Sequence, residues 1–123
     1  DICKNALSPT EVLEQVGLLD HKLQFPSQLS GGEQQRVSIA RAVSKNPKML
    51  LCDEPTGALD SETGVQILTL LQNLSRQHEK TVVIVTHNSA LAEAADKVIR
   101  VKNGKIKSVT IAKNPKAVSE VVW

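Results

Sequence analysis

The sequence is poor in aromatic residues: they make up 2% of its 123 residues, and tyrosine is absent. Stacking of bases on aromatic side chains is therefore open only to Phe25 and Trp123. The formal net charge is +2, and the lysines are scattered before the C-terminal third. This composition does not predict a nucleic-acid-binding patch, and we expect no nucleic-acid partner.

Cysteine is scarce as well, and its two positions do not suggest a shared site. Cys3 and Cys52 are far apart and lack metal-ligand spacing, and Cys52 lies in an apolar run where a small buried side chain is expected. The absence of a disulfide framework is typical of a reducing cytosol. No apolar run approaches the length of a membrane-spanning helix, and no signal peptide is recognisable.

The stretch that organises the chain is residues 29–36, which read LSGGEQQR. Ser30 and Glu33 have the S-x-x-E spacing of a capping box, which predicts that a helix begins here. A helix start behind Gly31 and Gly32 collects unpaired backbone N–H groups at the positive end of the helix dipole. This stretch is therefore a candidate phosphate site, and an ordinary capped helix is the alternative.

Downstream, the hydrophobic pattern alternates between strands and helices. Residues 49–52 and 81–86 are short apolar runs that predict strands buried on both faces, the parallel-sheet type. Residues 61–79 have helical apolar spacing, so a strand–helix–strand unit is expected. A short helix is predicted over residues 90–95, and another near the N-terminus over residues 8–17.

The C-terminal third contains a hairpin signal. Residues 98–101 and 106–109 are strand-like and flank Asn103-Gly104, the dipeptide typical of a two-residue hairpin turn. We expect this hairpin at the edge of the sheet, with its lysines facing water. The tail from Lys113 is interpreted as either a final short helix or a loose segment.

Ionisable side chains follow both predicted strands. Asp53 and Glu54 come directly after the first, and His87 follows the second. Ligands of open α/β sheets bind at the carboxyl ends of the strands. A carboxylate pair there suits a magnesium-dependent phosphate site, although a helix cap or solvated turn is the alternative, and a lone histidine can be purely structural. The sequence contains neither the motif of a serine hydrolase nor the ligand spacing of a zinc site.

With these motifs, the chain resembles ABC-type ATPases. Residues 29–36 resemble the family's signature motif, and residues 49–56 (MLLCDEPT) resemble its Walker B strand with the catalytic glutamate. Residues 58–60 resemble the D-loop, and Thr86-His87 the switch histidine. The four motifs occur in the family's order, and the resemblance extends over residues 8–109. It is greatest to the subunits of lipoprotein-releasing, macrolide-export and antimicrobial-peptide-resistance transporters.

One expected motif is missing. No G-x-x-x-x-G-K-[ST] sequence occurs, and the only Gly-Lys pair, Gly104-Lys105, lies in the predicted hairpin. The resemblance therefore implies an α/β, partial P-loop NTPase fold that lacks the Walker A half, so we expect the C-terminal half of an ATPase subunit. Residues 1–28 would be part of a helical subdomain, 29–112 the C-terminal half of the ATPase core, and 113–123 a tail.

The resemblance also implies roles for individual residues, with ATP and Mg²⁺ as the cofactors of the intact protein. Asp53 would hold Mg²⁺ through water, Glu54 would polarise the hydrolytic water, and His87 would bond the γ-phosphate. Gln34 and Arg36 would hold the signature helix in place.

The remaining implied roles concern partners. In a head-to-tail dimer of two ATPase subunits, Ser30, Gly31 and Gly32 would contact the γ-phosphate bound by the other subunit. Asp60 would lie at the dimer interface.

At the level of the whole protein, the resemblance implies a transporter ATPase that powers a membrane permease. Such a subunit is peripheral on the cytoplasmic face of the membrane. The alternative is a soluble ABC protein of DNA maintenance or translation. The chain by itself is expected to be inactive as an ATPase. It is also expected to self-associate, because a parallel sheet without its first strands leaves an open edge and uncovered apolar faces.

Overall fold

The computed structural model describes residues 31–123, and the predicted helix over 8–17 and the helical-subdomain piece lie outside them. The chain divides into two compact units, Asp1–Val85 and Thr86–Trp123. The helices and strands of the first unit are α1 (Gly31–Ser44), β1 (Met49–Asp53), α2 (Ser61–Gln77) and β2 (Thr81–Val85). Those of the second are a 3₁₀ helix (Ser89–Ala94), β3 (Lys97–Lys102), β4 (Lys105–Ile111) and a 3₁₀ turn (Val118–Glu120).

The first unit is built on a parallel pair of strands connected by a helix. β1 and β2 pair in parallel, with Leu50 opposite Val82 and Cys52 opposite Ile84. α2 packs on β2 through an apolar face at helical spacing, on which Ile67 and Leu71 are each 1% exposed. The predicted strand–helix–strand unit is therefore confirmed. The spacing of the apolar residues along α2 determines which side of the helix can be buried.

The strands are not buried on both faces, so that prediction is wrong. Exposure alternates along β1: Leu50 is 6% exposed and Leu51 is 76% exposed. In β2, Val83 and Val85 are exposed as well. α2 packs against the sheet on one side, and in the described part of the chain the other side is open to solvent. We call this side the open face; its apolar residues are Met49, Leu51, Val83 and Val85.

Cys52 is half-buried and is a free thiol. Burial raises the pKa of this thiol, so the neutral form is favoured and the side chain behaves as a small hydrophobe. The sequence predicted a small buried side chain at Cys52. The side chain is apolar in character as predicted, but it is only half-buried.

In the second unit, β3 and β4 form the predicted antiparallel hairpin. Asn103 and Gly104 have φ values of 52° and 73°, which is the left-handed backbone that a type I′ turn requires. The hairpin lysines are exposed as predicted. The expected position at the edge of the parallel sheet is wrong for the described strands, because β3 and β4 hydrogen-bond only to each other and form a separate sheet.

The C-terminal tail is ordered around two buried valines. Val118 is 2% exposed and Val121 is 6% exposed. The backbone N–H of Lys116 donates to the Glu93 carbonyl at 2.8 Å, and its ammonium group pairs with the Glu93 carboxylate at 2.7 Å. The short-helix alternative for this tail is therefore confirmed as a 3₁₀ turn. Within residues 31–123, no helix has the length and hydropathy needed to span a membrane.

Candidate functional site

The carboxyl end of β1 carries two adjacent acids in different backbone conformations. Asp53 is the last residue of the strand and is exposed. Glu54 is half-buried and has a φ of 47°, in the left-handed region that non-glycine residues rarely adopt. Its N–H donates to the Val85 carbonyl at 2.8 Å, which ties the start of the turn to the end of β2.

The chain then turns sharply between β1 and α2. The Gly57 N–H donates to the Glu54 carbonyl at 3.0 Å, and the Leu59 N–H donates to the Thr56 carbonyl at 3.1 Å. Pro55, within this turn, is buried. We call residues 54–60 the Glu54 turn; they contain Glu54 and Asp60, both singled out from the sequence.

The N-terminal part of α1 packs directly against the Glu54 turn. A Cβ added at Gly32 would lie 2.9 Å from the Ala58 carbonyl oxygen and 3.2 Å from Leu59 Cδ2. Such a separation from a backbone oxygen is too short for any real side chain, so the close approach requires glycine. Gly31 is exposed, and no atom of another segment would meet a Cβ there.

A second contact joins α1 to the same turn. Gln35 Nε2 donates to the Glu54 carbonyl at 2.8 Å, and Gln35 Oε1 accepts from the Ala58 N–H at 3.0 Å. The family resemblance implied that Gln34 and Arg36 hold this helix, and it did not single out Gln35. The partners are 19 and 23 residues away, so no local signal marks Gln35.

Asp60 is the N-cap of α2. Its carboxylate accepts a hydrogen bond from the Thr63 N–H at 3.2 Å. Hydrogen bonds from Thr63, first from its side chain and then from its backbone, lower the pKa of Asp60, and the Arg36 charge adds a smaller effect. The cap could have been found from the sequence, because an Asp immediately before an apolar-periodic run is a typical helix start.

The other predicted site residues are placed as follows. Ser30 lies outside the described residues, so its capping-box prediction stays a prediction. Gly31 and Gly32 begin α1 as predicted. His87 belongs to the second unit, where it is exposed and follows the end of β2 by two residues. The structure thus brings Gly32, Glu54 and the 58–60 segment together in the first unit and describes His87 in its own unit.

A magnesium site at the end of β1 would rest on few protein ligands. Among residues 31–123, no group of three or more His, Cys, Asp or Glu side chains could hold a metal ion. Asp53 offers a single exposed carboxylate at the strand end. This fits Mg²⁺, which binds one or two carboxylates, keeps several waters and takes further ligands from substrate phosphates.

Comparison with known proteins finds sequences similar to this chain. The sequence model of the family described as "ABC transporter" matches residues 5–57. The lipoprotein-releasing system ATP-binding protein LolD 2 of Rhodopirellula baltica is 53% identical over 93 residues, which cover 76% of this chain and 36% of that protein. The macrolide export ATP-binding/permease protein MacB of the same organism is 51% identical over 100 residues, 79% of this chain and 14% of that protein.

A solved structure of an ATP-binding cassette has a similar fold. The dimeric structure of the ATP-binding cassette MJ0796, bound to ADP and Pi in a post-hydrolysis state, superposes with a TM-score of 0.79. The two chains are 39% identical, and the match covers 90% of this chain and 51% of that one. The chain spans less than half the length of the curated relatives it matches.

Fold and site together define part of an α/β nucleotide-binding cassette of the P-loop NTPase type. Within that class, the chain is similar to part of the ATP-binding proteins of ABC transporters. The resemblance that the signature, Walker B, D-loop and histidine motifs carried is thereby confirmed, as is the expectation that the chain corresponds to part of such a subunit.

Proposed function

We propose that this chain supplies the signature, Walker B, D-loop and switch-histidine elements of a subunit that hydrolyses ATP to power a membrane permease. The observation that carries the proposal is the packing of Gly32 and Gln35 of α1 against the turn that begins with Glu54. It places the signature helix and the acid at the end of β1 in one compact unit. ATP and Mg²⁺ would be the cofactors of the complete subunit.

In this proposal each acid at the end of β1 has one task. Asp53, exposed at the strand end, holds Mg²⁺ through its hydration shell, and the ion neutralises charge on the phosphates. Glu54 orients and polarises the attacking water. The bonds to the Glu54 backbone support this task, because a carboxylate acts on a water only from a fixed position.

The remaining residues would act on the γ-phosphate and at the interface. Ser30, Gly31 and Gly32 at the start of α1 present backbone N–H groups to the γ-phosphate of a second, head-to-tail subunit. His87 donates a hydrogen bond to the γ-phosphate in its own subunit. Asp60 lies at the interface in addition to capping α2.

At the level of the whole protein, the proposal places the subunit on the cytoplasmic face of the membrane, attached to its permease. The names of the relatives support a transporter: LolD 2 belongs to a lipoprotein-releasing system and MacB is an ATP-binding/permease protein. They do not favour the alternative of a soluble ABC protein in DNA maintenance or translation. This chain alone should be inactive, because its sequence lacks the G-x-x-x-x-G-K-[ST] loop that cradles phosphates.

The proposal is tested with the complete subunit that contains this sequence. Glu54→Gln removes the carboxylate but keeps the size of the side chain, so it should lower the turnover of ATP by a factor of about 100 or more while MgATP still binds. The matched control is Glu62→Gln, an exposed acid in the first turn of α2. Turnover of Glu54→Gln at the rate of the unsubstituted subunit would overturn the role of Glu54.

A further inference from the structure

Gln35 makes two hydrogen bonds of opposite sense to one short segment. Its carboxamide donates to the Glu54 carbonyl at 2.8 Å and accepts from the Ala58 N–H at 3.0 Å. Both distances are those of well-formed hydrogen bonds. A carboxamide of this length can serve both partners, whereas a glutamate offers only acceptors and a methionine offers neither a strong donor nor a strong acceptor.

The segment held in this way starts in an unfavourable backbone conformation. Glu54 has a φ of 47°, which is sterically unfavourable for a residue with a Cβ and persists only where surrounding contacts hold it. Within residues 31–123, three hydrogen bonds reach its backbone. Its own N–H donates to the Val85 carbonyl, and its carbonyl accepts from the Gly57 N–H and from Gln35 Nε2. Of these, only the bond from Gln35 comes from a side chain and from α1.

The contact at Gly32 brings the same two segments together at a second point. The Ala58 carbonyl lies so close to Gly32 that a Cβ there would be 2.9 Å from the oxygen. Ala58 is therefore held at its N–H by Gln35 and approached at its carbonyl by the first turn of α1. A shift of α1 would move Ala58 and the Glu54 carbonyl together.

We propose that Gln35 is a positioning residue for ATP hydrolysis: it locks the backbone of Glu54 and of the D-loop to the signature helix. This inference rests on the proposed function, since it assigns Gln35 to the reaction in which Glu54 acts. Gln35 touches neither nucleotide nor water in this role and works only through the Glu54 and Ala58 backbone. Its loss should therefore affect turnover more than the binding of ATP.

The lock itself is tested first, on the 123-residue chain, by amide hydrogen exchange followed by NMR. In Gln35→Met both bonds are lost, and the Ala58 N–H should exchange at least about tenfold faster, because its partner is then water. In Gln35→Glu the acceptor for Ala58 is kept and the donor to Glu54 is lost, so Ala58 should stay protected. Gln66→Met, an exposed glutamine of α2, is the matched control and should leave Ala58 unchanged. Unchanged protection of Ala58 in Gln35→Met would overturn the lock.

The consequence for the reaction is tested in the complete subunit. Gln35→Met and Gln35→Glu should each lower kcat by about 10- to 100-fold, the loss typical of a misplaced catalytic group, with a change in KM for ATP of less than about threefold. Gln66→Met should turn over ATP at the unsubstituted rate. Gln35→Glu keeps the hydrogen bond to Ala58, whereas Gln35→Met loses both bonds. An unchanged kcat in both variants would overturn the positioning role.

The two proposals fail in different ways. If Glu54→Gln hydrolyses ATP normally, the proposed function is wrong, whereas the exchange of the Ala58 amide still reports whether Gln35 holds the turn. If Glu54→Gln is inactive and both Gln35 variants are fully active, the proposed function stands and the positioning role is overturned.

Discussion

At the scale of single residues, Asp60 shows how one side chain can serve the fold as well as a proposed interface. Its carboxylate caps α2 through the Thr63 N–H, and hydrogen bonds from Thr63 lower its pKa. The proposed place at the dimer interface depends on the same residue. Substitutions at Asp60 must therefore be interpreted with the cap in mind, because loss of the cap alone weakens the helix.

We predict that Asp60→Ala lowers the melting temperature of the chain by a few degrees at pH 7, because the Thr63 N–H loses its partner. Asp60→Asn keeps an acceptor at the N-cap and should be close to the unsubstituted chain at that pH. Circular dichroism during a thermal scan measures both. Equal melting temperatures for Asp60→Ala and the unsubstituted chain would contradict the role of the cap.

The pH dependence of the same comparison follows from the lowered pKa. Because the pKa of Asp60 is lower in the folded chain than the value of about 3.9 in unfolded chains, its contribution is fully present above about pH 4. It is lost as the pH falls through the folded pKa. The difference in melting temperature between the unsubstituted chain and Asp60→Ala should therefore shrink in that acidic window and remain constant from pH 5 to 7.

At the scale of elements, β1 and β2 have the apolar composition that is typical of buried parallel strands, but one side of their sheet is uncovered. An apolar run without alternation predicts burial on both faces. The run in β1, residues 49–52, has no polar residue before Asp53. Nevertheless Leu50 and Leu51 differ from 6% to 76% in exposure. The alternation arises because one side of the sheet is covered and the other is open, so the composition of the strand could not reveal it.

Leu50 and Leu51 form a matched pair for a stability measurement. Leu50→Ala should lower the free energy of unfolding by about 2–5 kcal/mol, the usual cost of removing a buried leucine side chain. Leu51→Ala should change it by no more than about 0.5 kcal/mol, because its side chain already contacts water. Urea unfolding followed by circular dichroism at low protein concentration compares them. An equally large loss for Leu51→Ala would mean that the open face is covered in solution.

Other elements follow closely from local signals. The helix that begins at Gly31, the helix that begins at Ser61 and the hairpin turn at Asn103-Gly104 are where the sequence predicts them. Each depends on contacts within a few residues: apolar spacing, capping groups and turn residues. The edge position of the hairpin was wrong because strand pairing between distant segments leaves no such local mark.

At the scale of the whole molecule, apolar residues remain uncovered in both units. The open face contains Met49, Leu51, Val83 and Val85, which are between 41% and 76% exposed. In the second unit, five large aliphatic side chains of the hairpin are at least 50% exposed: Ile99, Val101, Ile106, Val109 and Ile111. Contiguous exposed apolar surface of this kind is typical of an interaction surface or an aggregation site.

We predict that the isolated chain self-associates, with a mass that rises above 13.3 kDa as its concentration increases. Light scattering after size-exclusion chromatography measures this. Combining Leu51→Lys with Val83→Glu places an opposite-charge pair at neighbouring positions of the open face and should shift the mass toward the monomer. The control combines Ser38→Lys with Gln77→Glu at exposed positions of α1 and α2 and should have no effect. A chain that stays monomeric at high concentration would contradict the prediction.

The sequence by itself indicated the family and the order of the elements, and it singled out the proposed site residues, because each depends on a short motif or on local periodicity. The tertiary structure alone decided that Gln35 holds the Glu54 turn, that Gly32 must lack a side chain and that Leu51 faces solvent. These three features arise between segments that are far apart along the chain. A hydrogen bond over 19 residues, a close approach to a backbone oxygen and an uncovered face exist only once the segments have packed.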